Sequence, residues 1–299
     1  TGLSGLECAA LIIVTRKMLS FPDAGGEIEI VNGLLFGMLI GSLYQPSLAS
    51  ITVLALGAVL IVLATVCLTD TLSKAWRLPV LGLPYVLTSY LMLPIASHLG
   101  MAPLIAPLAV PLMTAPIAPP IAPLATPFAA LSVTQAGDSI LNLFAPLGSL
   151  YFNGTPVGGL IVFVAFAISS RYLAMLALAS SITCTIFLHY FYTPTYSGIL
   201  AVSSLPLLIA QMNGVLTAAI IGGLYAVPSI RSIVVALSSG ILACLITLLF
   251  ENTFWSSSFP PLALPFVLST YIALIALSSL RGGPWLRFWL LSLLFQKKV

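Results

Sequence analysis

Apolar residues in this chain come in long runs, separated by short polar or proline-rich breaks. Nine runs have spanning character, at roughly Leu3–Val14, Val31–Tyr44, Ile51–Leu68, Val80–Ile95, Val157–Ser169, Tyr172–Tyr192, Leu205–Leu224, Ile233–Phe250 and Leu262–Leu280. A bilayer span takes about 20 apolar residues as a helix. Several runs are shorter, as tilted or broken helices are. Three further stretches break the pattern. Met101–Phe128 carries Pro at 103, 107, 111, 116, 119, 120, 123 and 127. Proline at that density removes amide donors and clashes with the preceding turn, so an extended apolar connector is predicted. Asp138–Phe152 has an Asp-capped start and then mostly apolar residues broken by Pro146 and Gly148, which fits a re-entrant helix. Trp285–Phe295, with Arg287 inside it and Lys297 and Lys298 after it, suits an interfacial helix.

Composition turns this pattern into a class. Only 6% of the 299 residues are charged and 60% are hydrophobic, with a mean hydropathy of +1.16. Seventeen charged side chains cannot cover the surface of a soluble globule of this length. A cytosolic enzyme, a nucleic-acid binder and a disordered chain are therefore excluded, and a polytopic membrane protein remains. The net charge of +3 asks for no electrostatic partner. Cys8, Cys67, Cys184 and Cys244 all lie in apolar runs without metal-like spacing and read as packing thiols. Asn153-Gly154-Thr155 matches a glycosylation triplet of the kind that chance often produces. The chain begins at Thr1 without Met or a signal-peptide pattern, which suggests a trimmed or partial start.

The strongest signal is internal. At an offset of 181 residues the chain matches itself without gaps from Asn32 to Tyr90. Asn32-Gly33 falls on Asn213-Gly214, and Gly41-Ser42-Leu43-Tyr44 on Gly222-Gly223-Leu224-Tyr225. Leu83-Pro84-Tyr85 falls on Leu264-Pro265-Phe266, and the hydroxyl residues Thr88 and Ser89 fall on Ser269 and Thr270. Two homologous halves follow. Basic residues indicate their orientation. Arg171, Arg231 and Arg281 mark one side in the second half, whereas in the first half Lys74 and Arg77 occupy the alternate loop and Ser50 stands opposite Arg231. Such a swap is what two oppositely inserted repeats require. Thr1–Leu6 resembles Thr155–Leu160 at an offset of 154 instead. The first half is then short by about one helix, with Thr15–Ile30 (Arg16, Lys17, Asp23, Glu27, Glu29) in its place. The predicted division is a first half over 1–100, the connector over 101–137, a second half over 138–284 and a tail over 285–299.

Leu-Pro-aromatic opens a late helix in each half, with hydroxyls one turn later. One such motif would be an ordinary helix start whose Ser and Thr bond back to their own backbone. Its recurrence at matching positions points to a pore. There Tyr85 and Phe266 would face the boundary between the halves, with Thr88, Ser89, Ser269 and Thr270 nearby.

These residues resemble the urea transporter family. Leu78-Pro79-Val80-Leu81-Gly82-Leu83-Pro84-Tyr85 and Phe259-Pro260-Pro261-Leu262-Ala263-Leu264-Pro265-Phe266 are similar to its Leu-Pro-x-x-x-x-Pro-Phe signature. Ile30-Val31-Asn32-Gly33 and Gly148–Pro156 are similar to two more of its stretches. The resemblance implies an all-α polytopic membrane protein of two inverted-topology repeats, each of about five spans plus a re-entrant helix. It also implies a multi-pass protein of the cell membrane, a homotrimer in the lipid bilayer, with one pore per protomer and no cofactor. Tyr85, Phe152 and Phe266 would form an aromatic slot for planar urea, and Ser89 and Thr270 would belong to a ladder of oxygens accepting its N–H groups. Ser149 stands where the family often has Gln or Glu, and Gly82 and Ala263 where it often has Thr. Tyr85 replaces a Phe. Such a pore needs no buried charge, because urea is flat, neutral and rich in donors.

Two other functions stay open on the residues alone. An ion-coupled small-solute carrier would want an intramembrane acid or base, and Glu7 is the sole carboxylate well inside an apolar run, with Ile161 opposite it. A non-transporting relative is the other. His98 and His189 are not repeat equivalents and read as helix-end residues, unlike the paired histidines of an ammonium pore. No nucleophile–base or metal spacing suggests an enzyme.

Overall fold

A computed structural model of the chain describes residues 2–20, 26–76, 78–104, 140–152, 154–192, 205–254 and 261–279. The connector beyond residue 104, Arg77, Asp138, Asn153, Arg281 and the tail from Trp285 lie outside the described residues. Each of the nine apolar runs is a helix. They are α1 (Gly2–Met18), α2 (Gly26–Leu43), α3 (Leu48–Thr71), α4 (Leu83–His98), α6 (Pro156–Ser169), α7 (Arg171–Tyr192), α8 (Leu205–Ile220), α9 (Ile230–Phe254) and α10 (Leu264–Ser279). A tenth, the short α5 (Ala145–Ser149), continues a 3₁₀ turn over Ile140–Phe144 and occupies the re-entrant stretch. Five helices among the described residues are long and apolar enough to cross a bilayer, and α6 and α10 are shorter apolar helices. The chain is an all-α polytopic membrane protein. His98 ends α4, and His189 lies in the last turn of α7.

The helices form two compact units, one built on α1–α4 and one on α5–α10. Within the first, α1 packs along α2 and α3, and α3 against α4. The charged stretch between α1 and α2 is partly drawn into helix. Arg16 and Glu29 are buried and form a salt bridge, so each charge is neutralised by the other where α1 ends and α2 begins. Just beyond α2, Tyr44 bridges antiparallel to Pro103, and the Leu104 amide donates to the Leu43 carbonyl at 2.9 Å. In the second unit α6 packs on the re-entrant stretch and on α7, and α7 on α8.

Packing revises two details of the repeat. Ile12 and, behind it, Cys8 of α1 lie against Gly33 of α2, and Cys184 of α7 lies against Gly214 of α8. This cysteine–glycine approach relates α1 to α7, at an offset of 176. The Gly-rich likeness between Thr1–Leu6 and Thr155–Leu160 is compositional. The helix with no counterpart among the described residues of the first unit is α6, together with the re-entrant stretch.

The second detail is a one-residue slip. A reciprocal cap opens α3: the Ser50 amide donates to Ser47 Oγ at 3.1 Å, and the Ser47 amide to Ser50 Oγ at 2.8 Å. The same cap opens α9 between Ser229 and Ser232, at 3.1 and 2.9 Å. These pairs are 182 apart, not 181. A π-helical turn at Ile221–Tyr225 ends α8, whereas α2 ends regularly, and a π turn accommodates one extra residue. A second π turn, Leu72–Trp76 at the end of α3, restores the offset in the other direction. The gap-free alignment conceals two insertions that cancel.

Candidate functional site

The two Leu-Pro-aromatic motifs fold alike, hydrogen bond for hydrogen bond. Leu83 N–H donates to the Val80 carbonyl at 3.2 Å, and Val86 N–H to Gly82 at 3.1 Å. Leu264 N–H donates to Pro261 at 3.0 Å, and Val267 N–H to Ala263 at 3.1 Å. Pro84 and Pro265 each sit in the first turn, where a missing amide costs nothing. Ahead of each helix one leucine takes the left-handed conformation, Leu81 at φ 51° and Leu262 at φ 46°. A branched side chain is strained there, so the neighbours must hold it.

They do so through an asparagine. Asn32 Nδ2 donates to the Leu81 carbonyl at 3.0 Å and to the Ile28 carbonyl of its own helix at 2.8 Å. Its Oδ1 accepts from the Tyr85 amide at 3.1 Å. Asn213 repeats all three contacts, with Leu262 at 3.0 Å, Ile209 at 3.0 Å and the Phe266 amide at 3.2 Å. Each amide so held lies in the first turn of its helix and lacks an intrahelical acceptor. Gly82 supplies no side-chain cap to α4. The carbonyls of Leu81 and Leu262, just ahead of the prolines, are thus taken. The Asn-Gly pair marks the repeat in the sequence, yet its capping role is not legible there. The available signal is an uncharged amide recurring inside apolar helices at the repeat offset.

The aromatics that these clamps fix are buried, Tyr85 at 3% exposure and Phe266 at 6%. Hydroxyls follow one turn on. Ser89 Oγ donates to the Tyr85 carbonyl at 2.7 Å. Ser269 Oγ lies 3.0 Å from the Phe266 carbonyl and 2.8 Å from Thr217 Oγ1, which itself donates to the Asn213 carbonyl at 2.8 Å. Thr88 is buried as well. Thr270 is the repeat partner of Ser89 and differs from it: its Oγ1 is buried without a hydrogen-bond partner among the described residues. A hydroxyl that gives its proton to a backbone carbonyl keeps its lone pairs, so Ser89 is oriented as an acceptor.

Phe152 and Ser149 belong to the re-entrant stretch of the second unit. Ser149 Oγ donates to the Pro146 carbonyl at 2.7 Å. Three successive tight bonds, Leu150 to Leu147, Tyr151 to Gly148 and Phe152 to Ser149, wind the chain to a left-handed Phe152 at φ 57°, which is half-buried. A polar chain anchors this stretch: Gln211 Nε2 donates to Thr185 Oγ1 at 3.0 Å, Thr185 to the Ser181 carbonyl at 2.8 Å, and Ser181 Oγ to the Leu143 carbonyl. Gly159 of α6 fits directly over the Phe144 carbonyl, where an added Cβ would sit 1.7 Å from that oxygen. Sequence reasoning overlooked Gln211, Thr185, Ser181 and Thr217. As isolated polar residues in apolar helices they could have been found by their failure to match their repeat partners.

Charge is kept away from these positions. Among the described residues the buried charged side chains are Arg16 and Glu29. No group of three or more His, Cys, Asp or Glu side chains that could hold a metal ion occurs among the described residues. Glu7 is exposed on α1.

A comparison with curated proteins gave no match. A family profile described as Urea transporter matches residues 2–278, and the chain belongs to the urea transporter family.

Proposed function

We propose that this chain is a passive, channel-type pathway for urea, or for a close small neutral planar amide, with a path between its two halves. The observation that carries this reading is the duplicated helix start. In each half a buried aromatic, Tyr85 or Phe266, is followed one turn later by hydroxyls, without a charged group among them. Phe152 would add a further aromatic wall and Ser149 a further oxygen. Flat aromatic walls admit a planar solute and reject a bulky one, and acceptor oxygens replace the water that urea's N–H groups give up. Ser89, Thr270, Thr88 and Ser269 are the proposed acceptors. In this reading the halves are inserted in opposite senses, the protein resides in the cell membrane as a homotrimer, and each protomer conducts on its own.

Stopped-flow light scattering of proteoliposomes in a urea gradient tests the proposal. The expected result is rapid, saturable urea flux that ignores proton and sodium gradients. Flux no faster than in protein-free vesicles would overturn it in favour of a non-transporting relative. Flux that appears only with an ion gradient would overturn it in favour of a coupled carrier.

A further inference from the structure

Asn32 and Asn213 occupy a place in the fold that reaches beyond stability. Each is buried, at 2% and 0% exposure. Each ties its own helix to one neighbouring helix start: its oxygen accepts from an amide of that start, and its nitrogen donates to the carbonyl just ahead of it and to a carbonyl one turn back in its own helix. The amides they hold, Tyr85 N–H and Phe266 N–H, belong to the proposed slot aromatics themselves. The carbonyls they hold on those segments belong to the strained leucines four residues earlier. One side chain therefore fixes the backbone at both ends of the turn from which the aromatic ring projects. In each unit the same set recurs at the same offset: three bonds, one left-handed leucine and one proline.

We infer that Asn32 and Asn213 are positioning residues for solute selectivity, setting the placement of the Tyr85 and Phe266 rings and so the shape of solute that passes. This rests on the urea-channel reading. Loss of the side-chain amide would release the helix start, leave the Tyr85 or Phe266 amide without its acceptor, and let the left-handed leucine relax. The ring would then be held by packing alone, and a slot whose wall can shift discriminates shape less well. The aspartate variant retains an oxygen acceptor for the amide and, when protonated, one donor for the leucine carbonyl. It should preserve most of the arrangement.

The test uses the full chain in proteoliposomes and compares urea with glycerol, a non-planar solute of similar size. The readout is the permeability ratio, which does not depend on how many channels are folded. Asn213→Leu, and separately Asn32→Leu, are expected to lower the urea-to-glycerol ratio about tenfold, the scale of one hydrogen bond's worth of discrimination. Asn213→Asp and Asn32→Asp should recover most of it. An unchanged ratio in both leucine variants would overturn the inference. So would a fall in urea flux at constant ratio, which reports only fewer folded channels. Amide hydrogen exchange separates the two readings. Tyr85 and Phe266 should be protected in the wild type and deprotected in the leucine variants. Wild-type vesicles that carry no urea, with this exchange pattern intact, would overturn the channel reading and the selectivity role but leave the clamp standing. Exchange unaffected by the leucine substitutions would overturn the clamp itself.

Discussion

Thr217 Oγ1 and Ser269 Oγ lie 2.8 Å apart, joining α8 to α10 by a side-chain hydrogen bond that the first unit does not make. The repeat counterparts are Phe36 and Thr88, and a fully buried phenylalanine cannot replace the contact. The second unit thus fastens its late helix with both an amide and a hydroxyl. Thr217→Val and Ser269→Ala are expected to show a coupling of about 0.5–1 kcal/mol in a double-mutant cycle, measured by denaturant unfolding in detergent. Phe36→Leu and Thr88→Ala, tested in the same way, should be additive within about 0.5 kcal/mol.

Ser89 and Thr270 are repeat equivalents with opposite bookkeeping. Ser89 gives its proton to the Tyr85 carbonyl, while the Thr270 hydroxyl is buried without a partner among the described residues. A buried unpaired hydroxyl costs about 1–3 kcal/mol. Thr270→Val should therefore raise the unfolding midpoint or leave it unchanged, yet lower urea flux. Gain of stability with loss of transport is the signature of a hydroxyl retained for solute. Equal flux in vesicles of matched protein content would remove Thr270 from the pathway.

The Arg16–Glu29 pair is buried between α1 and α2. Removal of one partner leaves an uncompensated charge, which costs about 3–5 kcal/mol. Glu29→Gln or Arg16→Met alone should sharply lower the thermal midpoint in detergent. Arg16→Met combined with Glu29→Leu should restore most of it, because the apolar pair has no charge to desolvate. A double variant as unstable as either single one would show that the pair contributes through its geometry as well as its charge balance.

Two glycines make opposite predictions. At Gly159 a methyl group would meet the Phe144 carbonyl, a backbone atom that cannot rotate away. Gly159→Ala should cost about 1–3 kcal/mol by overpacking and should reduce flux by moving the stretch that carries Ser149 and Phe152. At Gly82 a Cβ would meet nothing within 4 Å, and φ is −87°. Gly82→Thr should be neutral to within about 0.5 kcal/mol. Asn32 already holds the Tyr85 amide, so the new hydroxyl is left for the solute and urea flux should rise. A fall in flux would show that the small residue is needed for clearance.

The nine helices were legible because apolar runs in a chain this poor in charge have few other uses, and the two Leu-Pro-aromatic starts because proline and an aromatic recur at one offset. The pair of π turns was not, since slipping one apolar residue past another alters no pattern a sequence displays. Only the serine caps, at Ser47 and Ser229, betray it. The kinship of α1 with α7 was hidden for a related reason. Glycine-rich helix starts match by composition, and only the packing of Cys8 and Cys184 against Gly33 and Gly214 distinguishes them. The Arg16–Glu29 pairing was hidden because partners on opposite sides of a turn cannot be matched by reading along the chain. Asn32 and Asn213 were visible as landmarks, but their partners lie far along the sequence, beyond the reach of local reasoning.

That separation has a bearing on how the protein is made. Each clamp joins residues 53 positions apart, Asn32 to Tyr85 and Asn213 to Phe266. At a synthesis rate of roughly 5–20 residues per second, the asparagine waits about 3–10 seconds for its partner to emerge. Until then its amide has only the carbonyl one turn back for company, in the apolar interior of a newly inserted helix. Closure of each three-helix set is consequently timed by the ribosome. The earlier set can seal before the later one has been translated, so a nascent chain holds at most one set of open clamp partners at a time.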